Sequence, residues 1–426
     1  PASCARALGQ SAGGAPRLPG GALRAVLAPP ERLDLLAAAG FPAHFGAALA
    51  VGRAGVFVGA PSADFAGNAT GLVYRFTDGN AGWRRAGAAL QDPNGAPGER
   101  FGASVATFGR WVAVGAPRAA SASGGRVLVF DVSGPVPLLD AVLHGATNPA
   151  GAIGGADRFG SALALGPCSA ASTSQGPGLA VGAPGATWGG VDGAGRVDLF
   201  VRTAGRWRHT ASVGSDLPTV GQAFGHTLAR VGGTTVVGAP GDGRSAPGAG
   251  RVFGFGPDGA TRFELGPPGG LAPSGVSPAG ARFGSAVASL GPDQLAAGIP
   301  GRGAIATYTL DPSGRPGPAR IAAGPPGLGF GLAVAGHPTC LAAGVPWASS
   351  PSVSLFAPVV GGPWTAAGIA DTGGRVGPAS EYGIVVAARG GVLAVGAPGS
   401  GADPGESPVP AVSAGRVFVH WIGDER

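Results

Sequence analysis

Apolar residues alternate with small or polar ones in short runs along most of the chain, and each run ends at Gly, Pro, Asn or Asp. Residues 127–130, 197–200, 252–255 and 417–420 are clear cases, each opened by Arg-Val. A period of two predicts β-strands, and punctuation about every dozen residues leaves no room for a helical bundle. Four strand types recur in a fixed order. The first follows an aromatic-Gly pair, as at 103–107, and is made of small and apolar residues. The second runs into Gly-x-Pro, as at 111–114. Gly permits backbone angles closed to other residues and Pro lacks a donor, so together they end the strand. The third is the Arg-Val type, and the fourth often opens on Trp, as at Trp83, Trp207 and Trp364.

Those markers define an internal repeat. The aromatic-Gly pair begins at Phe45, Phe101, Phe159, Phe224, Phe283, Phe330 and Tyr382, at spacings of 47 to 65 residues. Gly-x-Pro follows each, beginning at Gly59, Gly115, Gly182, Gly238, Gly298, Gly344 and Gly396. Four strands repeated radially are the propeller solution to exposed sheet edges. The expected fold class is all-β: a seven-bladed β-propeller of four-stranded antiparallel blades, occupying residues 31–426 after an extended leader at 1–30. The chain ends directly after the seventh third-type strand, so an N-terminal strand is expected to complete the last blade. The segment Arg32 to Leu36 precedes Phe45 much as the strand ending at Leu90 precedes Phe101, and is expected to pair with 417–421.

Phe-Gly, then Gly-Ala-Pro, then Val73-Tyr74-x-Phe76 resembles the FG-GAP repeat. That family includes the propeller of integrin α subunits, a glycosylphosphatidylinositol-specific phospholipase D and many microbial surface proteins. The resemblance covers about residues 31–421 and is nearest to microbial or algal-type repeats. Units five and six carry Gly-Ile-Pro and Gly-Val-Pro, and unit seven starts with Tyr382. Integrin-type repeats hold calcium between the first two strands, which requires converging oxygen ligands. Of the corresponding stretches only one supplies a carboxylate, Asp293. No calcium site, other metal or cofactor is therefore expected.

Composition refines the picture. Gly 84 and Pro 41 in 426 residues would suggest disorder, but 44% hydrophobic and 12% charged residues oppose it. The glycines keep no three-residue period, which excludes collagen. The net charge of +6 is thin, all 29 basic residues are Arg, and no like-charge run suggests nucleic-acid binding. No apolar stretch is long enough to span a membrane as a helix. With no Met at all, the chain is expected to be a processed product or a segment of something longer. Cys168 and Cys340 fall in the 1–2 loops of units three and six, nearly opposite around a ring, too far apart to bridge. The expected disulfide is Cys4–Cys340, leaving Cys168 free or intermolecular.

The six histidines are scattered, without zincin spacing, and no Gly-rich loop carries the Lys of a phosphate loop. An enzyme is not expected. Variable loops on a rigid scaffold are where recognition concentrates, and here those are the 2–3 loops, which share a face with the 4–1 loops. Candidate partner-binding residues on that face are Asp64, Trp188, Asp192, Asp242, Arg244, Asp403 and Glu406. Arg126, Arg196, Arg251 and Arg416 share one repeat position and form a candidate basic arc for carboxylates or sulfates. Asn68-Ala69-Thr70 is a glycosylation sequon. The expected function is an extracellular or cell-surface binding module for protein or acidic glycan. A building block of a wall, appendage or filament assembly of like copies is the alternative, and an accessory propeller of a hydrolase a further one.

Overall fold

The structure, a computed structural model, describes residues 22–28, 43–63, 70–119, 124–145, 157–168, 176–269, 278–325, 327–359, 362–372, 376, 378–400 and 415–422. These residues form seven four-stranded antiparallel sheets with only two short 3-10 turns and no α-helix. Six sheets are simple meanders, as in blade four: Thr227–Val231, Thr234–Ala239, Arg251–Phe255 and Thr261–Leu265. First strands of adjacent blades touch one another around the full circle, so they line a central channel. Small residues suit this crowded centre, while the tryptophans Trp83, Trp207 and Trp364 sit on outermost strands, as expected.

Both sequence motifs are explained by backbone geometry. In every blade the residue before the aromatic accepts a hydrogen bond from the amide three positions on, at 3.0–3.1 Å. The Gly of the aromatic-Gly pair is third in that turn and has φ between 85° and 93° in all seven copies. A type II turn requires this positive φ, hence Gly, and the preceding aromatic is directed inward, with each of the seven fully buried. The Gly of Gly-x-Pro answers a second demand. A Cβ placed at Gly59, Gly115, Gly182, Gly238, Gly298 or Gly344 would lie 1.8–2.1 Å from the carbonyl oxygen of the next blade's turn glycine. At Gly396 the same contact, 2.3 Å, is made to Gly46 and so joins the last blade to the first. The two motifs therefore recur together because they meet across each blade junction. Gly182→Ala should cost about 1–3 kcal/mol by overpacking against a backbone atom that cannot rotate away. Gly79→Ala, with nothing within 4 Å, should be near neutral; urea denaturation of both variants checks the contrast.

The core is divided in the same way. Seven apolar clusters each draw on two neighbouring blades: Phe101, for example, packs with Phe57 and Val73 of blade one and Val114 and Leu128 of blade two. Phe45 belongs to the cluster that unites blade one with Val417 and Val419 of blade seven. Each blade thus buries its two apolar faces against its neighbours.

An N-terminal strand does complete the last blade, but it is Ala22–Leu27 and not the expected 32–36. It pairs antiparallel with Arg416–Trp421, Leu27 opposite Val417 and Leu23 opposite His420. The physical reason lies in its pattern. A register shift between Leu23 and Ala25 sets Arg24 aside. Leu27 and Ala25 then face the junction with blade one, and Leu23 and Val26 the junction with blade six. Residues 31–36 would instead have brought Glu31, Arg32 and Asp34 to such a strand; they lie outside the described residues. The closing strand falls within what was expected to be leader.

Cys168 and Cys340 are both buried and are not bonded to each other. Burial raises the Cys168 thiol pKa, partly opposed by the nearby Arg230 guanidinium. Cys4, the expected partner of Cys340, lies outside the described residues.

Candidate binding face

Strand direction puts the 2–3 and 4–1 loops on one face. There, three loops around the junction of blades three and four converge: residues 184–195, 214–226 and 240–250. Four of the candidates sit in two of them. Asp242 is fully buried at the centre. Arg244 donates to it from Nε at 3.1 Å and pairs with Asp216 at 3.3 Å and Glu264 at 3.1 Å. Arg251 pairs with Asp242 at 3.3 Å and Glu264 at 2.7 Å. Gln222, also fully buried, donates to Asp242 and accepts at Oε1 from the Thr219 amide. From the other flank, Trp188 Nε1 donates to the Ser215 carbonyl at 3.0 Å, and the Ser215 hydroxyl accepts from the Leu217 amide. Asp192, exposed, accepts from the Thr187 hydroxyl at 2.6 Å.

Trp188, Asp242 and Arg244 are therefore supports, fixing residues 214–226 from both sides. What this support presents was not picked out from the sequence: Leu217 is 60% and Val220 81% exposed. The available signal was weak, two apolar residues in a polar, Pro-containing loop outside any alternating run. Trp347, also exposed, lies on the same face in the 2–3 loop of blade six. Asp64, Asn68, Asp403 and Glu406 lie outside the described residues.

The structure pairs three of the four arginines of the expected basic arc with carboxylates. Arg126 is held by Asp92 at 2.7 Å and Glu99 at 2.6 Å, clipping the preceding 4–1 loop to its blade. Arg196 is buried against Asp198 at 3.1 Å, and Arg251 is paired as above. Arg416 is half-buried at the start of its strand. The guanidinium groups of Arg126, Arg196 and Arg251, engaged with these carboxylates, do not offer an arc of free charge to a ligand. Positive charge on this face is placed elsewhere, at the channel mouth. Arg100, Arg158 and Arg282 occupy the left-handed position before the aromatic, with φ of 54° to 62°. Burial chiefly, then Arg282 and Arg158, lowers the His226 pKa. Burial and then Arg100 lower that of His44, with Glu381 opposing.

Among solved structures, U3-55K superimposes with a TM-score of 0.52 at 14% identity, over 88% of this chain and 94% of that one. The likeness is one of fold. Sqt1 from Saccharomyces cerevisiae gives a TM-score of 0.48 at 11% identity, covering 89% and 96% of the two chains. No family model and no curated protein matches the chain.

Proposed function

We propose that this protein is a non-enzymatic binding module of the FG-GAP type, secreted or displayed at a cell surface, that recognises a protein partner through its 2–3 and 4–1 loops. The single observation that carries this is the exposed Leu217–Val220 pair on a loop fixed from beneath by Trp188, Gln222, Asp242 and Arg244. Exposed apolar groups on pre-ordered backbone bind without a large ordering cost, the setting in which interface hot spots arise. Arg100, Arg158 and Arg282 favour an acidic rim on that partner. The carboxylates of the cluster are engaged by guanidinium groups, which suits a structural role better than proton transfer. The FG-GAP reading is supported by the turn and glycine contact repeated in every blade.

The test is affinity isolation from extracellular extract with the native chain and with Leu217→Asp/Val220→Asp. The retained partner should bind the double variant at least about 30-fold more weakly, as expected for hot-spot loss. Equal retention by both would overturn the reading, and preferential retention of glycans would redirect it. A second reading, assembly of like copies, is favoured by one feature. The edge strand Leu138–Leu143 of blade two exposes Leu138, Leu139 and Val142 at the rim, and concentration-dependent sedimentation would reveal it.

A further inference from the structure

The opposite face differs in its charge balance. There the ends of the first strands and the 1–2 turns of all seven blades surround a cavity of 1620 Å³ at the channel mouth. It extends outward over Arg24, Arg75, Trp83 and Trp421, along the junction where the last blade meets the first. Among the described residues five arginines line it, Arg24, Arg53, Arg75, Arg230 and Arg389, against one acid, Asp78. The contrast with the arginines of the other face is chemical. Arg75 donates to the carbonyls of Ala54 at 2.7 Å and Val132 at 3.1 Å. Arg230 donates to the Thr235 hydroxyl at 3.0 Å and the Pro167 carbonyl at 2.5 Å. These partners fix the side chains without neutralising them. Arg53 and Arg389 are exposed at the 1–2 turns of blades one and seven.

A second, independent observation points the same way. Two residues that line this cavity, Arg230 and Trp421, each keep one donor behind the wall, Nε and Nε1, without a hydrogen-bond partner among the described residues. Burial lowers the Arg230 pKa, with Arg262 adding to it and Cys168 opposing. An unpaired donor next to the cavity is costly, and a ligand that brings further donors would not relieve it. The nearest described carboxylate outside the lining is Asp293, directly after Pro292 in the 1–2 turn of blade five.

We infer that this cavity binds an acidic peptide segment of a partner, with carboxylates on the arginines and apolar side chains against Trp83, Phe108 and Leu165. The volume exceeds the roughly 300–1,000 Å³ of small-ligand sites, and its radial arm suits an extended chain. Guanidinium forks match carboxylates in geometry. A sulfated sugar could stack a ring face on Trp83 but has no alkyl side chains to place against Phe108 and Leu165, which an acidic peptide with Leu residues supplies.

The experiment is fluorescence anisotropy at low salt with a labelled peptide of alternating Glu and Leu. It should bind the full chain, whereas the matching Lys and Leu peptide should not. Arg53→Glu/Arg389→Glu, at exposed turn positions, should weaken binding at least about tenfold, and added salt should weaken it further. A thermal melt establishes that this variant is folded, and Arg53→Gln/Arg389→Gln should fall between the two. Leu217→Asp/Val220→Asp should leave this affinity unchanged, which separates the inference from the proposed use of the other face. Equal binding by the charge-reversed variant would overturn it. So would tighter binding of a heparin-derived oligosaccharide, or an about tenfold gain on deleting residues 423–426, which would make the chain's own tail the occupant.

Discussion

A chain lacking residues 1–28 is expected to lose stability sharply and to self-associate. The deletion removes the whole closing strand, Ala22–Leu27, and its antiparallel pairing with Arg416–Trp421. Leu27 is buried in the cluster that joins the first and last blades, while Leu23 and Val26 pack into the cluster on the other side. The loss should therefore exceed the roughly 2–5 kcal/mol that removal of one buried Leu entails. The strand Arg416–Trp421 would become an open edge, a template for another chain. A synthetic peptide of residues 20–29 should restore much of the stability of the deletion when added in excess. Equal melting of the full and 29–426 chains by denaturant titration would show that ring closure does not depend on this strand.

The second large effect is expected at Asp242. Replacing it with Ala leaves Arg244 and Arg251 without their shared buried carboxylate and Gln222 without its acceptor. Breaking a buried ionic network from one side costs about 3–5 kcal/mol, because the remaining charge is left in a poor solvent. Glu264 still contacts both arginines, which sets the effect toward the lower part of that range. Asp242→Asn, which retains the shape and an acceptor, should cost less. Urea denaturation of the two variants checks the order. Because Asp242 anchors the loop that presents Leu217 and Val220, partner binding should fall with it.

The fold was readable because its constraints are local and repeated. A turn that needs Gly at its third position and a junction that excludes a Cβ leave the same letters seven times, at Phe45-Gly46 and Gly59 and at each later copy. The closing strand has no such marker. Its expected position rests on spacing to Phe45, but the link between a fourth strand and the next turn varies, from 266–282 after blade four to 324–329 after blade five. The binding face was half readable. Trp188, Asp242 and Arg244 were legible as unusual side chains in variable loops, yet their role follows from Ser215, Gln222, Asp216 and Glu264, which are distant in sequence or chemically ordinary. The arginines show the same limit. One-dimensional periodicity placed Arg126, Arg196 and Arg251 correctly at strand starts, while their neutralisation by Asp92, Asp198 and Glu264 depends on pairings across loops.

Amide hydrogen exchange across residues 214–226 of the native chain tests the central claim, that this protein presents an exposed apolar pair on a rigid loop. The Leu217 amide donates to the Ser215 hydroxyl, that of Thr219 to Gln222 Oε1, and that of Gln222 to the Thr219 carbonyl. Slow exchange at these three amides, lost in Asp242→Ala, is the predicted result. Exchange at the rate of an unstructured peptide, unchanged by that substitution, would contradict it.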